Sequence, residues 1–127
     1  MVDEIVKESR VIVHKERYAF LKTNEIDLKN HFMVSQDADE ITVITEEANV
    51  ASTLHEKEEK WFKLIEIKVS TPFTAGFIAK VTNIIASEGC NTLVVSTFSK
   101  DYILTGEEQI GIAVSALKKA GFSVESR

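Results

Sequence analysis

The stretch VSTPFTAGFIAKVTNIIASEG, residues 69–89, places small residues where a strand hands over to a helix. Thr74, Ala75 and Gly76 leave the first backbone N–H groups of that helix uncovered. Such groups lack intrahelical partners and sit at the positive end of the helix dipole, so they can hold a carboxylate without a cationic side chain. A glycine there lets a ligand approach the backbone closely. Further on, Ser96, Thr97 and Ser99 offer hydroxyls to an ammonium group, and Asp101 offers a carboxylate to a basic one. The pattern is that of a non-covalent site for an amino acid. Each residue also has a plainer role: Thr74 as an N-cap, Gly76 as a spacer for helix-to-sheet packing, Phe73 and Phe77 as core or interface residues.

Covalent or metal chemistry finds less support. His14, His31 and His55 are scattered, with no pair at the i,i+4 spacing of a helical metal site. Cys90 has no neighbouring cation in the sequence to stabilise a thiolate and reads as a small buried hydrophobe. No nucleophile elbow, phosphate-binding loop, zinc ribbon or dinucleotide fingerprint occurs. The expectation is therefore no enzyme, no cofactor and no metal. A net charge of −5 argues against nucleic acid and anionic membranes, which need a surplus of Lys and Arg.

The elements that must position these residues follow from periodicity. WFKLIEIKV (61–69) alternates, with Ile65, Ile67 and Val69 on one face and Glu66 and Lys68 on the other, as a half-buried strand does. Phe77, Ile78, Val81, Ile84 and Ile85 then recur at helical spacing up to Gly89, the expected left-handed cap. NTLVVSTFS and YILT read as strands. Thr105 and Glu108 have capping-box spacing ahead of a helix carrying Ile110, Ala113, Val114 and Leu117, with Lys118, Lys119 and Gly121 at its end. FSVES closes as a strand. The order β-α-β-β-α-β is the ferredoxin-like one, an α+β class. That class hosts unrelated functions. RNA binding would need more aromatic residues than Phe98 on the central strands, and phosphate chemistry would need an arginine in the first loop.

The first half reads as a shortened copy. VSQDADEITVITEE (34–47) aligns without gaps over VSTFSKDYILTGEE (95–108), and RYAFLKT precedes it as a strand. Residues 24–32 leave room for one or two helical turns at most. EKEEK (56–60) reads as a solvated linker or helix end. The expected division is a truncated unit at 10–55 and a complete unit at 56–127. A single cysteine, no apolar run of about 20 residues and a charged start give a cytoplasmic expectation.

Residues 71–122 carry a family resemblance, through the T-x-G-type turn, the STFSKDYIL hairpin and the last helix ending in KKAGF. This half resembles an ACT domain. The chain from about 11 to 125 is similar to the compact tandem-ACT proteins, a family related to the animal cytosolic arginine sensors. The resemblance implies a non-catalytic, regulatory small-molecule binder working as a homodimer, with the ligand at an interface between units. Carried over by position, it implicates Thr71, Phe73, Thr74, Ala75, Gly76 and Phe77 of the turn, and Ser96, Thr97 and Asp101 of the hairpin. Pro72 and Phe73 occupy ground where the family's loop often has an earlier glycine. The alternative is an ACT-like interaction module that has lost its ligand.

Overall fold

Helix α1 (Val2–Glu8) and strand β1 (Arg10–Thr23) begin the chain, followed by β2 (Met33–Gln36), β3 (Ile41–Glu46) and a short α2 (Glu47–Val50). Then come β4 (Lys57–Lys68), α3 (Phe77–Ala86), β5 (Leu93–Ser96), β6 (Asp101–Gly106), α4 (Ile110–Lys119) and β7 (Ser123–Ser126). The structure, a computed structural model, describes residues 2–25, 29–69 and 75–127. The chain forms two compact units, one of residues 16–62 and one of residues 1–15 with 63–127. These bounds fall inside β1 and β4, whereas the division at 55/56 follows the sequence repeat.

The larger unit has the expected element order β4-α3-β5-β6-α4-β7 and an α+β ferredoxin-like architecture. Its strands run β7-β1-β4-β6-β5. The first residues of β1 stand between β7 and β4, pairing in parallel from Arg10↔Ser123 to Val13↔Ser126. The charged start of the chain thus supplies a helix and a strand to this unit, which the sequence reading did not foresee. Ile5 and Val6 of α1 are buried.

Helical spacing explains the core. Phe77, Val81 and Ile85, four residues apart, turn one face of α3 onto Ile65 and Ile67 of β4 and Ile103 of β6. Ala113 and Leu117 of α4 and Cys90 complete the same cluster. Gly89 and Gly121 follow their helices at φ 81° and 103°, in the left-handed region where glycine avoids a Cβ penalty. The capping box does not form. Thr105 is fully buried in β6, where its hydroxyl donates to the Asn91 carbonyl at 2.8 Å. The strand continues through Gly106 and a 3-10 turn (Glu107–Gln109) intervenes before α4.

The smaller unit runs β2-β3-β1-β4, with Ala19, Leu21 and Val43 buried and Val34, Val50 and Trp61 packed around them. Among its described residues α2 is its one helix; residues 24–25 and 29–32 are not helical, and 26–28 lie outside the described residues. EKEEK is strand rather than linker from Lys57 onward, with the Glu56 N–H donating to the Lys22 carbonyl at 2.7 Å.

The two hairpins share one register. Met33↔Ile44 through Gln36↔Ile41 in the first correspond to Leu93↔Leu104 through Ser96↔Asp101 in the second. Asp37 N–H donates to Glu40 O at 3.0 Å, and Thr97 N–H to Lys100 O at 2.8 Å, closing equivalent turns. The structural equivalence therefore sets Val34 on Val94, one residue away from the letter-by-letter alignment of Val34 with Val95.

Candidate functional site

The turn into α3 is built by where β4 ends and what α3 must bury. Of the predicted turn residues, Thr71, Phe73 and Thr74 lie outside the described residues, as does Pro72. Ala75 and Gly76 are exposed, and Gly76 takes φ 83° immediately before α3. Among the described residues no side chain caps this helix start, and the Gly76 carbonyl accepts from the Lys80 N–H at 3.0 Å. A Cβ built on Gly76 would meet none of the described residues within 4 Å. Phe77 points the other way. It is 4% exposed and its ring lies edge-on to Phe122 at 6.3 Å, so its side chain anchors α3 while its backbone stays at the helix start.

The hairpin residues are brought together. Ser96 and Asp101 are directly opposed, and the Ser96 hydroxyl donates to Asp101 Oδ1 at 2.8 Å. Thr97 is exposed and its hydroxyl donates to the Lys100 carbonyl at 3.3 Å, within the turn itself. Ser99 is exposed. The Lys100 ammonium lies 3.8 Å from Glu66 Oε2, which sets the hairpin turn at the C-terminal end of β4, the end from which the chain leaves for the α3 turn. Ala75, Gly76 and Phe77 belong to the same unit as Ser96, Thr97 and Asp101.

Glu66 was missed. Alternation in β4 makes it a solvent-face residue, yet its side chain is 7% exposed. Its carboxylate meets His14 Nε2 at 2.9 Å and stands 3.8 Å from the ammonium groups of both Lys68 and Lys100. Burying a carboxylate demands such partners. Two of them, His14 and Lys100, are remote in sequence, and His14 arrives on β1.

The other predicted players have structural duties. Cys90 is buried in the core. His31 Nδ1 bonds the Thr45 hydroxyl at 3.0 Å. Both ring nitrogens of His55 face acceptors, the Thr53 carbonyl at 2.7 Å and Glu58 Oε1 at 3.2 Å. The neutral ring has one N–H, so this arrangement favours the imidazolium. Accordingly the His55 pKa is raised, first by the Thr53 carbonyl and then by Glu58. A raised folded-state pKa stabilises fully below the ordinary value near 6.5, and the contribution is lost as pH rises through the elevated one. Urea midpoints of wild type should therefore fall relative to His55→Gln between pH 6 and 8.5; parallel profiles would refute the clasp. Among the described residues no group of three or more His, Cys, Asp or Glu is placed to hold a metal ion.

These features define the class, a ferredoxin-like α+β domain. The chain belongs to the ACT domain family, whose sequence profile matches residues 56–119. A search of curated proteins gave no match. Among solved structures, the chain is similar to a Vibrio cholerae protein of unknown function described as a possible transport protein (18% identity, TM-score 0.81, 94% of this chain and 95% of that one). It is also similar to a protein from Agrobacterium tumefaciens (16% identity, TM-score 0.74, 94% of each chain). A third is the ligand-free regulatory subunit of aspartate kinase from Thermus thermophilus (10% identity, TM-score 0.62, 87% of this chain and 95% of that one). At these identities the likeness is one of fold. Among the described residues no helix is long and apolar enough to cross a membrane.

Proposed function

We propose that this protein is a non-catalytic regulatory module that binds a small molecule, an amino acid, and works as a cytoplasmic homodimer with no cofactor. The observation that supports this reading is the left-handed Gly76 at the start of α3, with no described residue within 4 Å of a Cβ there, in the same unit as the Ser96–Asp101 pair. An amino acid's carboxylate would sit on the N–H groups around Ala75 to Phe77, and its ammonium on Asp101 with the Ser96 and Thr97 oxygens nearby. Thr71, Phe73 and Thr74 belong to the same proposed turn. The likeness to a regulatory subunit of aspartate kinase supports a regulatory role. In the proposed sequence division, 10–55 is a truncated ACT-like unit and 56–127 a complete one; the shared hairpin register supports the repeat.

A thermal-shift screen of the twenty amino acids tests the reading. One of them should raise the melting temperature, because a ligand that binds only the folded state at 100 times its Kd adds about 2.7 kcal/mol. A flat screen at 10 mM counts against it.

The second reading, an ACT-like interaction module without a ligand, draws on a different observation. Strand β5 ends the strand order, and Leu93, Val94 and Phe98 beside it are 39%, 45% and 91% exposed. An edge strand has unpaired backbone groups that can join a second copy. Val94→Lys should weaken self-association by roughly 10- to 100-fold, about 1.4–2.7 kcal/mol, in sedimentation equilibrium. An unchanged dimer would place the interface elsewhere.

A further inference from the structure

Helix α4 has an outer face that the core of its unit does not use. Ala113, Ala116 and Leu117 turn inward. Glu108, Ile112, Ser115 and Lys119, at spacings of four, three and four, form a different stripe, and all four are exposed. Glu108 sits in the 3-10 turn that runs straight into the helix, and its flexible side chain rests over Gly106. Ile112, in the middle of the stripe, is 51% exposed. Beside it lies a groove of about 260 Å³ lined by Glu88, Gly111, Ile112, Ser115, Ala116 and Lys119. Three of these are small, and a Cβ built on Gly111 would meet none of the described residues within 4 Å. A second helix can therefore come close, because the distance between packed helices follows the size of the side chains between them.

A lone exposed isoleucine is ordinary. What sets this one apart is the order of charges around it. Gln109 ties the chain beyond α3 to the start of α4: its Nε2 donates to the Gly89 carbonyl at 3.3 Å, and its Oε1 accepts from the Asn91 N–H at 3.0 Å. Glu88 is thereby held near the start of α4, the end that carries Glu108. Lys118 and Lys119 occupy the last turn. Among the described residues none of these four charged side chains makes an ion pair. The stripe is acidic at one end, apolar and small in the middle, and basic at the other. Its complement is the same stripe running the opposite way.

We infer that α4 docks antiparallel on α4 of a second copy of this chain. The contact is isologous: Ile112 of each copy seats against Gly111 and Ser115 of the other, and Glu108 of each faces Lys119 of the other. The inference rests on the homodimer reading above and gives that dimer an interface other than the β5 edge. A ten-residue helix is about 15 Å long, so one helix per copy falls short of the ~1,200 Å² of a stable interface. The dimer is accordingly a weak one, and salt loosens it further by screening its exposed ion pairs.

Sedimentation equilibrium of the full chain tests it with three variants at exposed positions, each checked for folding by circular dichroism. Ile112→Glu should weaken the dimer roughly tenfold or more. Glu108→Lys and Lys119→Glu should each weaken it too, because each sets like charges against one another at both ends of the contact. An equimolar mixture of these last two variants should restore association to the wild-type strength, since every facing pair is then again of opposite charge. Two weakened variants that stay apart when mixed overturn the antiparallel contact. A dimer that all three variants leave unchanged overturns this interface but keeps the homodimer, and Val94→Lys then tests the β5 edge. A wild type that stays monomeric removes the homodimer reading and this inference with it.

Discussion

Ile67→Ala should destabilise the protein by about 2–5 kcal/mol, a large part of the ~5–15 kcal/mol available to a domain of this kind. Ile67 is completely buried on β4 and belongs to the cluster formed with Phe77, Val81 and Ile85 of α3. Truncation removes apolar area from contact and leaves a cavity that close-packed neighbours fill only in part. The same strand leads into the Gly76 turn, so its packing also sets where that turn is held. Urea unfolding followed by circular dichroism gives the measurement, and Ile67→Val, expected to cost about 0.5–1.5 kcal/mol, serves as the graded control. A loss below 1 kcal/mol for the alanine variant would mean that β4 does not anchor the core.

Gly76→Val should remove amino-acid binding at the turn while the protein still folds. Among the described residues nothing lies within 4 Å of a Cβ at this position, so the substitution clashes with none of them. Its cost is in the backbone: φ 83° is left-handed, and an L-residue there loses about 1–2 kcal/mol, more with a branched Cβ. The chain can relieve that cost by turning residue 76 out of the left-handed region, which redirects the N–H groups needed by a carboxylate. The valine also covers the backbone the ligand must reach. The variant should therefore melt slightly lower than wild type and lose the ~2.7 kcal/mol that a saturating ligand supplies. Gly76→Ala, with less bulk, should fall between the two. An equal ligand-induced shift in wild type and Gly76→Val would remove the turn from the binding site.

The parts of this architecture written in short-range periodicity were legible in the sequence. Phe77, Val81 and Ile85 at four-residue spacing, and Ile65 and Ile67 at two, mark the inward faces of α3 and β4. What failed depended on partners distant in the chain. EKEEK has poor strand propensity, and it becomes strand because β1 stands beside it. Glu66 is buried because His14 and Lys100 come to it. The hairpin repeat was visible but misread by one residue, since one shared Val-Ser dipeptide in each copy carries too little pattern to fix the alignment. The turns fixed it, through Asp37–Glu40 and Thr97–Lys100. Thr105 had capping-box spacing, but a buried strand and the Asn91 carbonyl claimed its hydroxyl. Of the candidate site, Ser96 and Asp101 proved to be partners, and the side chain of Phe77 proved to be core.

The proposed function has an amino acid binding at Gly76 and the β5–β6 hairpin of one unit. Its most direct test is titration of the isotope-labelled protein, followed by backbone amide resonances, with the amino acid that gives the largest thermal shift. The largest shifts should cluster at Ala75, Gly76, Phe77, Ser96, Thr97 and Asp101. Saturable binding that leaves all six unmoved would contradict it.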